Sequence, residues 1–238
     1  MALRLGARRC LLVGDPRQLP ATVFSDEAHA HGFGVSTMER LMGAGGEALL
    51  LDEQYRMAAG LRQWPSDTFY DGRLCDAPAL AARPAPWPGA SPLPGVLPDG
   101  CRALLRAEGT EERAADGCSL LNRAEAAAVA AVAAQLRAAH GSGLAVAAVA
   151  LYAAQAALLR ELLPPDCAVS SVDGFQGGEC DVLLLSLVRE RVAASRFLGD
   201  PKRLNVALTR ARHYLVVLCS DPAPAASDTL ISRFLATF

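Results

Sequence analysis

The chain has 238 residues, of which 52% are hydrophobic and 20% are charged, and its formal net charge at pH 7 is -2. A chain of this length and apolar content can bury a substantial core in one or two domains, which excludes an intrinsically disordered protein. The slightly acidic balance gives no overall attraction to nucleic acid, so any such binding must use a local surface. No apolar run reaches the roughly 18 residues of a membrane span, and we expect no membrane partner.

The seven cysteines are scattered, odd in number and never paired at the spacing of metal ligands. They predict reduced thiols and no metal site in an intracellular protein, either cytoplasmic or nuclear. The first nine residues contain three arginines and no acid, as organelle transit peptides do, but this is the weaker interpretation of that segment.

The first part of the chain predicts a strand, a polar loop and a helix. Residues 9–13 form a short apolar run, predicted to be a strand, and Gly14-Asp15-Pro16-Arg17-Gln18-Leu19-Pro20 follows it. Parallel sheets place ligand contacts in the loops at the carboxyl ends of their strands. A helix is predicted over residues 36–42, with Ser36 as its N-cap. The side chains expected to be buried on it are Met38, Leu41 and Met42. The glycines at 43, 45 and 46 predict a hinge between two domains.

A second strand is predicted over residues 49–52, and Gln54-Tyr55-Arg56-Met57 follows at its end. Residues 61–70 are expected to be helical. Residues 77–100 are rich in proline and alanine, and because proline removes hydrogen-bond donors and fixes φ, this segment is predicted to be a surface loop. Taken alone, Arg56 is an ordinary surface arginine beside a half-buried tyrosine.

The middle of the chain alternates helices and strands. Asn122, followed three residues later by Glu125, resembles the capping box that starts a helix. The side chains predicted to form the buried face of that helix are Val129, Val132 and Leu136. Strands are predicted over residues 102–105 and 144–149, and a helix follows from residue 151 to about residue 163.

From Ala168 to Ser220 the sequence predicts a strand, a glycine turn, a strand, a helix and a strand, the βαβ arrangement that builds a parallel sheet. The predicted strands are residues 168–172, 182–188 and 214–219. The helix is expected to start at Pro201, with Asp200 as its N-cap, and to run to about Arg212. Since seven residues are close to two helical turns, Arg203 and Arg210 are expected on one face. On spacing alone, a solvated helix face and a simple turn are the commoner interpretation.

Four segments resemble motifs of the superfamily 1B helicases, the family of the nonsense-mediated-decay helicase, senataxin and the immunoglobulin mu-binding helicase. SVDGFQGGECDVLLLSLVR and RLNVALTRAR are similar to the fifth and sixth motifs, GDPRQLP to the third and QYRM to the fourth. The resemblance covers nearly the whole chain. It implies an α/β fold of the RecA-like P-loop NTPase class, a parallel sheet with helices on both faces. Residues 1–46 would end a first RecA-like domain and residues 47–238 would form the second.

The resemblance also implies a site for ATP with Mg²⁺ between two RecA-like domains. Tyr55 would stack on the adenine, and Arg56 would contact the γ-phosphate, a task for which a planar and always charged guanidinium is suited. Asp15 and Gln18 would sense the terminal phosphate, and the remaining contacts would come from Gly177, Glu179 and Arg210. The expected catalytic residues are Arg56, Arg210, Gln18 and Glu179.

A single strand of RNA or DNA is the partner that the resemblance implies, bound by a helicase that is monomeric at full length. The expected contacts are Pro20, Thr22, Tyr152, Val172 and Asp173. Many relatives have a second proline where this chain has Ala21, and their usual Thr-Pro is replaced by Ala150-Leu151. These departures leave the role of Tyr152 open.

The family's first two motifs are not found in these 238 residues: G-x-x-x-x-G-K-[ST] does not occur, and no Asp-Glu pair of the second motif, which holds magnesium, precedes GDPRQLP. Three hypotheses remain. The chain is the C-terminal part of an ATP-dependent helicase, inactive alone because the P-loop half is encoded upstream. Alternatively, it is an inactive module that binds nucleic acid or a partner. The third is an unrelated α/β enzyme, for which an acid-base pair is expected and none is found.

Overall fold

A computed structural model describes residues 6, 8–85, 87, 92–93, 100–115, 117–190, 199–220 and 229–238. The chain forms two compact units, Met1–Leu50 and Leu51–Phe238. Assignment of the first unit to the end of a RecA-like domain stays a prediction. None of the described helices is both long and apolar enough to cross a membrane.

The first unit contains two short helices, α1 at Asp26–Ala30 and α2 at Thr37–Gly43. The Oγ of Ser36 accepts a hydrogen bond from the Glu39 N–H at 3.1 Å, which confirms the predicted N-cap of α2. The predicted burial is wrong for Leu41 and Met42, which are 46% and 39% exposed, because no described helix of this unit exceeds two turns and little surface is available to cover them.

The strand predicted at residues 9–13 is also wrong, since none of the described residues of the first unit is in a strand. A strand needs a paired neighbour for its backbone N–H and C=O groups. Leu11 and Val13 remain 86% and 84% exposed.

The second unit contains nine strands, six α-helices and two short 3-10 helices, Gly141–Gly143 and Asp173–Phe175, in its described part. The strands are β1 Glu53–Gln54, β2 Cys75–Asp76, β3 Arg102–Arg106, β4 Glu112–Arg113, β5 Leu120–Leu121, β6 Val146–Ala150, β7 Ala168–Ser171, β8 Cys180–Ser186 and β9 Ala211–Cys219. The helices are α3 Ala59–Phe69, α4 Pro78–Ala81, α5 Arg123–His140, α6 Ala153–Leu162, α7 Pro201–Leu208 and α8 Leu230–Leu235.

Five of these strands form one parallel sheet in the order β3-β9-β8-β6-β7. Leu184 of β8 and Val216 of β9 pack in the core with apolar side chains of α5 and α6. Leu183 and Leu185, which alternate with Leu184 and so point to the opposite face, are fully buried as well, and α3 contacts both β9 and α7. Burial on both faces explains the continuous apolar run of β8 and confirms the predicted α/β fold with helices on both sides.

Two further predictions, a strand and a loop, differ from the structure. Residues 49–52 are not in a strand, because regular pairing with β2 begins only at Glu53. The segment 77–100 is not a simple surface loop, since it contains α4 and places Trp87 and Leu93 in the core, 7% and 1% exposed. Burial of a large apolar side chain lowers the free energy of the folded state wherever the residue lies in the chain. The proline content of the segment therefore did not indicate that Trp87 and Leu93 are buried.

Helix α7 begins as predicted, with the Asp200 carboxylate accepting a hydrogen bond from the Lys202 N–H at 2.9 Å. It ends at Leu208 and not near Arg212. The hydroxyl of Thr209 donates to the Asn205 carbonyl at 2.7 Å, and Ala211 already pairs with Cys180 as β9 starts. Arg210 therefore lies beyond the helix, and the prediction that it shares a helix face with Arg203 is wrong.

Candidate functional site

The loop between β1 and α3 presents Tyr55 and Arg56, and the side chain of Gln54 shapes it. Gln54 Oε1 accepts hydrogen bonds from the Arg56 and Met57 N–H groups at 2.9 and 2.7 Å. Its Nε2 donates to the Met57 carbonyl at 2.7 Å and to Asp76 Oδ1 of β2 at 2.5 Å. The backbone of the loop is thus held by the Gln54 side chain, and Tyr55 is 67% exposed.

Glu179, just before β8, is the centre of an ion cluster. Its Oε2 accepts a hydrogen bond from Arg56 Nε at 2.7 Å, and its Oε1 accepts one from Arg212 Nε at 3.1 Å. Arg212 also reaches Asp181 Oδ1 at 3.4 Å. The hydrogen bond from Arg56, followed by that from Arg212, lowers the pKa of Glu179 to about 2. Glu179 is an anion held by two guanidinium groups at neutral pH.

Thr209 brings together the two arginines that the resemblance assigns to the ATP site. Arg56 Nη1 donates to the Thr209 carbonyl at 3.1 Å, and Arg210 Nη2 donates to its hydroxyl at 2.8 Å. Arg210 Nε also donates to the Val206 carbonyl at 2.9 Å, and the residue is only 2% exposed. Arg56 is thus a half-exposed arginine, whereas Arg210 is buried and anchored to the end of α7.

The glycine turn before Glu179 has one position with a left-handed backbone, at Gly177. Gly177 has φ +85°, a left-handed conformation that side chains of L-residues rarely adopt, and no atom lies within 4 Å of the place where a Cβ would be. The turn therefore leaves its backbone open to close approach by a ligand.

The predicted nucleic-acid contacts of the second unit differ in exposure. Val172 is 1% exposed, and its backbone N–H and C=O are hydrogen-bonded to Ala150 and Phe175, so it is the least accessible of these residues. The carboxylate of Asp173 is 52% exposed and lies 3.1 Å from Arg203 Nε. Tyr152 is the half-buried N-cap residue of α6. These residues lie at or near the carboxyl ends of β6 and β7.

The predicted phosphate sensors of the first unit contact each other. Gln18 Nε2 donates to Asp15 Oδ2 at 2.9 Å, and the Arg17 N–H donates to Asp15 Oδ1 at the same distance. Of the two predicted nucleic-acid contacts in this unit, Pro20 is half-buried and Thr22 is exposed.

Sequence reasoning missed two arginines of the second-unit cluster. Arg212 closes the RLNVALTRAR segment, so its position in the sixth motif was a usable signal. Arg83 contacts the Tyr55 and Arg56 carbonyls of the loop after β1. It lies in the proline-rich segment, and no sequence pattern there indicates this contact. Within the described part of the chain, no group of three or more His, Cys, Asp or Glu side chains comes together to hold a metal.

Comparison with known proteins gives the family. A family described as "AAA domain" matches residues 33–222, and a second family of the same description matches residues 1–26. "Regulator of nonsense transcripts 1 homolog" of Arabidopsis thaliana is 36% identical over 91% of this chain and 18% of its own length. For "ATP-dependent helicase NAM7" of Saccharomyces cerevisiae, identity is 33% over 98% of this chain and 25% of the relative.

"DNA-binding protein SMUBP-2" of Mesocricetus auratus is 34% identical over 91% of this chain and 23% of its own length. The chain thus spans only about a fifth to a quarter of these relatives. A solved structure described as "The structure of PRRSV helicase" aligns with 87% of this chain and with 29% of its own chain, at 14% identity. Its TM-score of 0.42 is too low to support a conclusion about function. The match over residues 33–222 decides the assignment: the chain belongs to the AAA-domain family that forms the C-terminal domain of superfamily 1 helicases.

Proposed function

We propose that this chain supplies the second-domain side of an ATP site in a nucleic-acid helicase. The observation that carries the proposal is the convergence of Arg56 and Arg210 on Thr209, with Arg56 also bound to Glu179. Relatives that match over most of the chain include one named as an ATP-dependent helicase. The sequence and the geometry of the second unit therefore favour the same residues.

The residues present fit a polyphosphate. Two guanidinium groups, those of Arg56 and Arg212, already bind one anion, the Glu179 carboxylate. A phosphate group offers the same oxygen acceptors with more charge, so Arg56 can bind it in place of Glu179. When bound, ATP would supply the phosphoryl group that is transferred to water.

The residues of this chain would then hold and orient the nucleotide. Arg56 would neutralise charge on the terminal phosphate, an effect worth roughly 10³ to 10⁵ in rate for arginines that act on phosphoryl transfer. Arg210 would do the same from a fixed position, because its Nε and Nη2 are bound to protein acceptors. The exposed Tyr55 ring would stack on the adenine, and the open backbone of Gly177 would approach the nucleotide. The contacts of Asp15 and Gln18 with the terminal phosphate remain part of the proposal.

Single-stranded RNA or DNA is the proposed partner of the helicase, with Tyr152 and Asp173 as contacts from this unit and Pro20 and Thr22 as contacts from the first. Val172, also a predicted contact, is buried and would need a local rearrangement to reach the strand. Magnesium would come with the nucleotide, because the described residues contain no acidic cluster to hold it alone. An inactive module that binds nucleic acid or a partner is the competing proposal.

The test is the binding of a fluorescent ATP analogue to the purified 238-residue chain, followed by anisotropy. Arg56→Met should weaken binding at least about tenfold, because it removes a charged hydrogen bond to phosphate. Arg210→Met should weaken binding as well, because it removes a fixed positive charge beside Thr209. The matched control is Arg106→Met, because the Arg106 side chain is 60% exposed and its ion pair with Glu108 is long, at 4.0 Å.

Equal binding by wild type and Arg56→Met would refute the proposed role of Arg56. Binding of a single-stranded oligonucleotide without any binding of nucleotide would favour the inactive module. We expect no ATP turnover by the chain alone, and turnover that Arg210→Ala abolishes would contradict that expectation.

A further inference from the structure

Arg83 makes an unusual set of contacts with the ion cluster. It lies just after α4, and its Nη2 donates to the Arg56 carbonyl at 2.5 Å and to the Arg212 carbonyl at 3.2 Å. Its Nη1 reaches the Tyr55 carbonyl at 3.4 Å. One side chain therefore binds the backbone on both sides of Glu179, from the loop after β1 and from the start of β9.

A backbone hydrogen bond joins the same two segments. The Ala58 N–H donates to the Arg212 carbonyl at 2.8 Å, so this carbonyl accepts from both Ala58 and Arg83. The Tyr55 and Arg56 carbonyls lie in the loop after β1, where no sheet ladder supplies donors, so other donors are needed. Arginine is suited to this task because its planar fork carries five N–H donors in fixed directions, whereas a lysine ammonium is a single point.

These backbone contacts fix the positions of the Arg56 and Arg212 main chains, from which both side chains extend to Glu179. Arg56 and Arg212 approach Glu179 from opposite carboxylate oxygens, and each has its own backbone carbonyl bound by Arg83. Arg56 and Arg212 bind the Glu179 carboxylate and Arg212 also reaches Asp181, whereas the Arg83 guanidinium binds backbone carbonyls. Burial first, and then the charge of Arg83, lowers the pKa of His213 and so favours its neutral form.

We propose that Arg83 is a positioning residue that clamps the QYRM loop to β9 and thereby aligns Arg56 and Arg212 on one anion. It acts through the backbone of its neighbours and does not itself need to touch a ligand. The clamp rests on the proposed function only for the identity of that anion in the working protein, a nucleotide phosphate. The alignment of Arg56 and Arg212 on Glu179 does not depend on the proposed function.

The experiment uses the intact 238-residue chain and reads the arginine side chains directly. The Nε–H resonances of Arg56 and Arg212 are assigned with Arg56→Lys and Arg212→Lys, and their exchange with water is measured by NMR. Arg83→Met, which keeps an apolar stem without the fork, should speed exchange of both Nε–H groups about tenfold or more, because their hydrogen bonds to Glu179 lose alignment. Arg83→Lys should give a smaller acceleration, and the control Arg106→Met should give none.

A merely structural role for Arg83 would lower the melting temperature and leave these exchange rates unchanged. Rates within twofold of wild type in folded Arg83→Met would overturn the proposal. If Arg83→Met does not fold, unchanged rates in Arg83→Lys would overturn it, because that variant keeps the charge and loses only the fork. Binding of the fluorescent ATP analogue is measured in parallel. If Arg56→Met binds the analogue as tightly as wild type, the proposed function fails, while the exchange rates still decide the role of Arg83.

Discussion

Glu125 should make the stability of this protein depend on pH near neutrality. The residue is fully buried in the first turn of α5. Its Oε2 accepts hydrogen bonds from Ser186 Oγ at 2.7 Å and from the Val188 N–H at 2.8 Å, and its Oε1 accepts one from Ser220 Oγ at 3.3 Å. All three donors are neutral. Burial therefore outweighs these bonds and raises the pKa of Glu125 from 4.5 to about 7.

The size of the effect follows from linkage. A shift from 4.5 to about 7 corresponds to about 3 kcal/mol, at about 1.36 kcal/mol for each pKa unit. Because the folded state binds this proton more tightly than the unfolded state, the stabilisation is complete below pH 4.5 and is lost as pH rises through 7. Glu125→Gln keeps an acceptor and cannot ionise, so it should remove this part of the pH dependence.

The assay is urea unfolding of wild type and Glu125→Gln between pH 4.5 and 8, followed by circular dichroism. The difference in unfolding free energy between the two proteins should change by about 3 kcal/mol across this range, in favour of the variant at high pH. His213, whose pKa is lowered, titrates in both proteins and cancels in the difference. Glu179, with a pKa of about 2, loses its contribution only at lower pH.

Glu108→Gln is the matched control, because the Glu108 side chain is 85% exposed. The free energy of unfolding of Glu108→Gln should have the same pH dependence as that of wild type. Stability curves of wild type and Glu125→Gln that run parallel, within about 1 kcal/mol across the range, would refute the reasoning that burial without a cation partner governs this carboxylate.

Three further substitutions test the fold through the free energy of unfolding in urea. Gly177→Ala should cost about 1 kcal/mol, because φ +85° strains a residue with a Cβ even in open space; no loss would contradict the left-handed turn. Asn122→Ala should cost about 2 kcal/mol, since it removes the N-cap bond to the Glu125 N–H and leaves the Ser220 hydroxyl without its 2.7 Å donor; a loss below about 0.5 kcal/mol would argue against the cap. Leu184→Ala should cost roughly 2–5 kcal/mol because it truncates a fully buried core side chain. Leu162→Ala, at a residue that is 48% exposed, should cost under about 1 kcal/mol, and equal losses for the two substitutions would contradict the core position of Leu184.

Patterns that depend on neighbouring residues in the chain predicted the structure well. Caps at Ser36, Asn122 and Asp200 each accept the expected backbone hydrogen bond. The apolar run after Cys180 predicted a strand buried on both faces, which the parallel sheet confirms. These features follow from local geometry and hydrophobicity, so a sequence contains them directly.

Features that depend on distant partners were not predictable in the same way. Residues 9–13 have the composition of a strand, but the described first unit offers them no strand to pair with. Glu125 has the position of a capping-box residue, yet its carboxylate binds Ser186, Val188 and Ser220, which the fold brings from far along the chain. Arg83 contacts Arg212 across 129 residues, and no local pattern indicates such a pair.

The two arginines assigned to ATP differ in how freely they can change partner, and this difference bears on the proposed function. The Arg56 and Glu179 side chains are 31% and 37% exposed, and ion pairs this exposed contribute only about 0–1 kcal/mol to stability. A polyphosphate can therefore replace Glu179 at little cost, and Arg212 keeps the released carboxylate paired. Arg210 is 2% exposed and bound to Val206 and Thr209, so moving it would leave buried acceptors without donors. Under the proposed function, Arg56 is the arginine that responds to the nucleotide, and Arg210 is the fixed one.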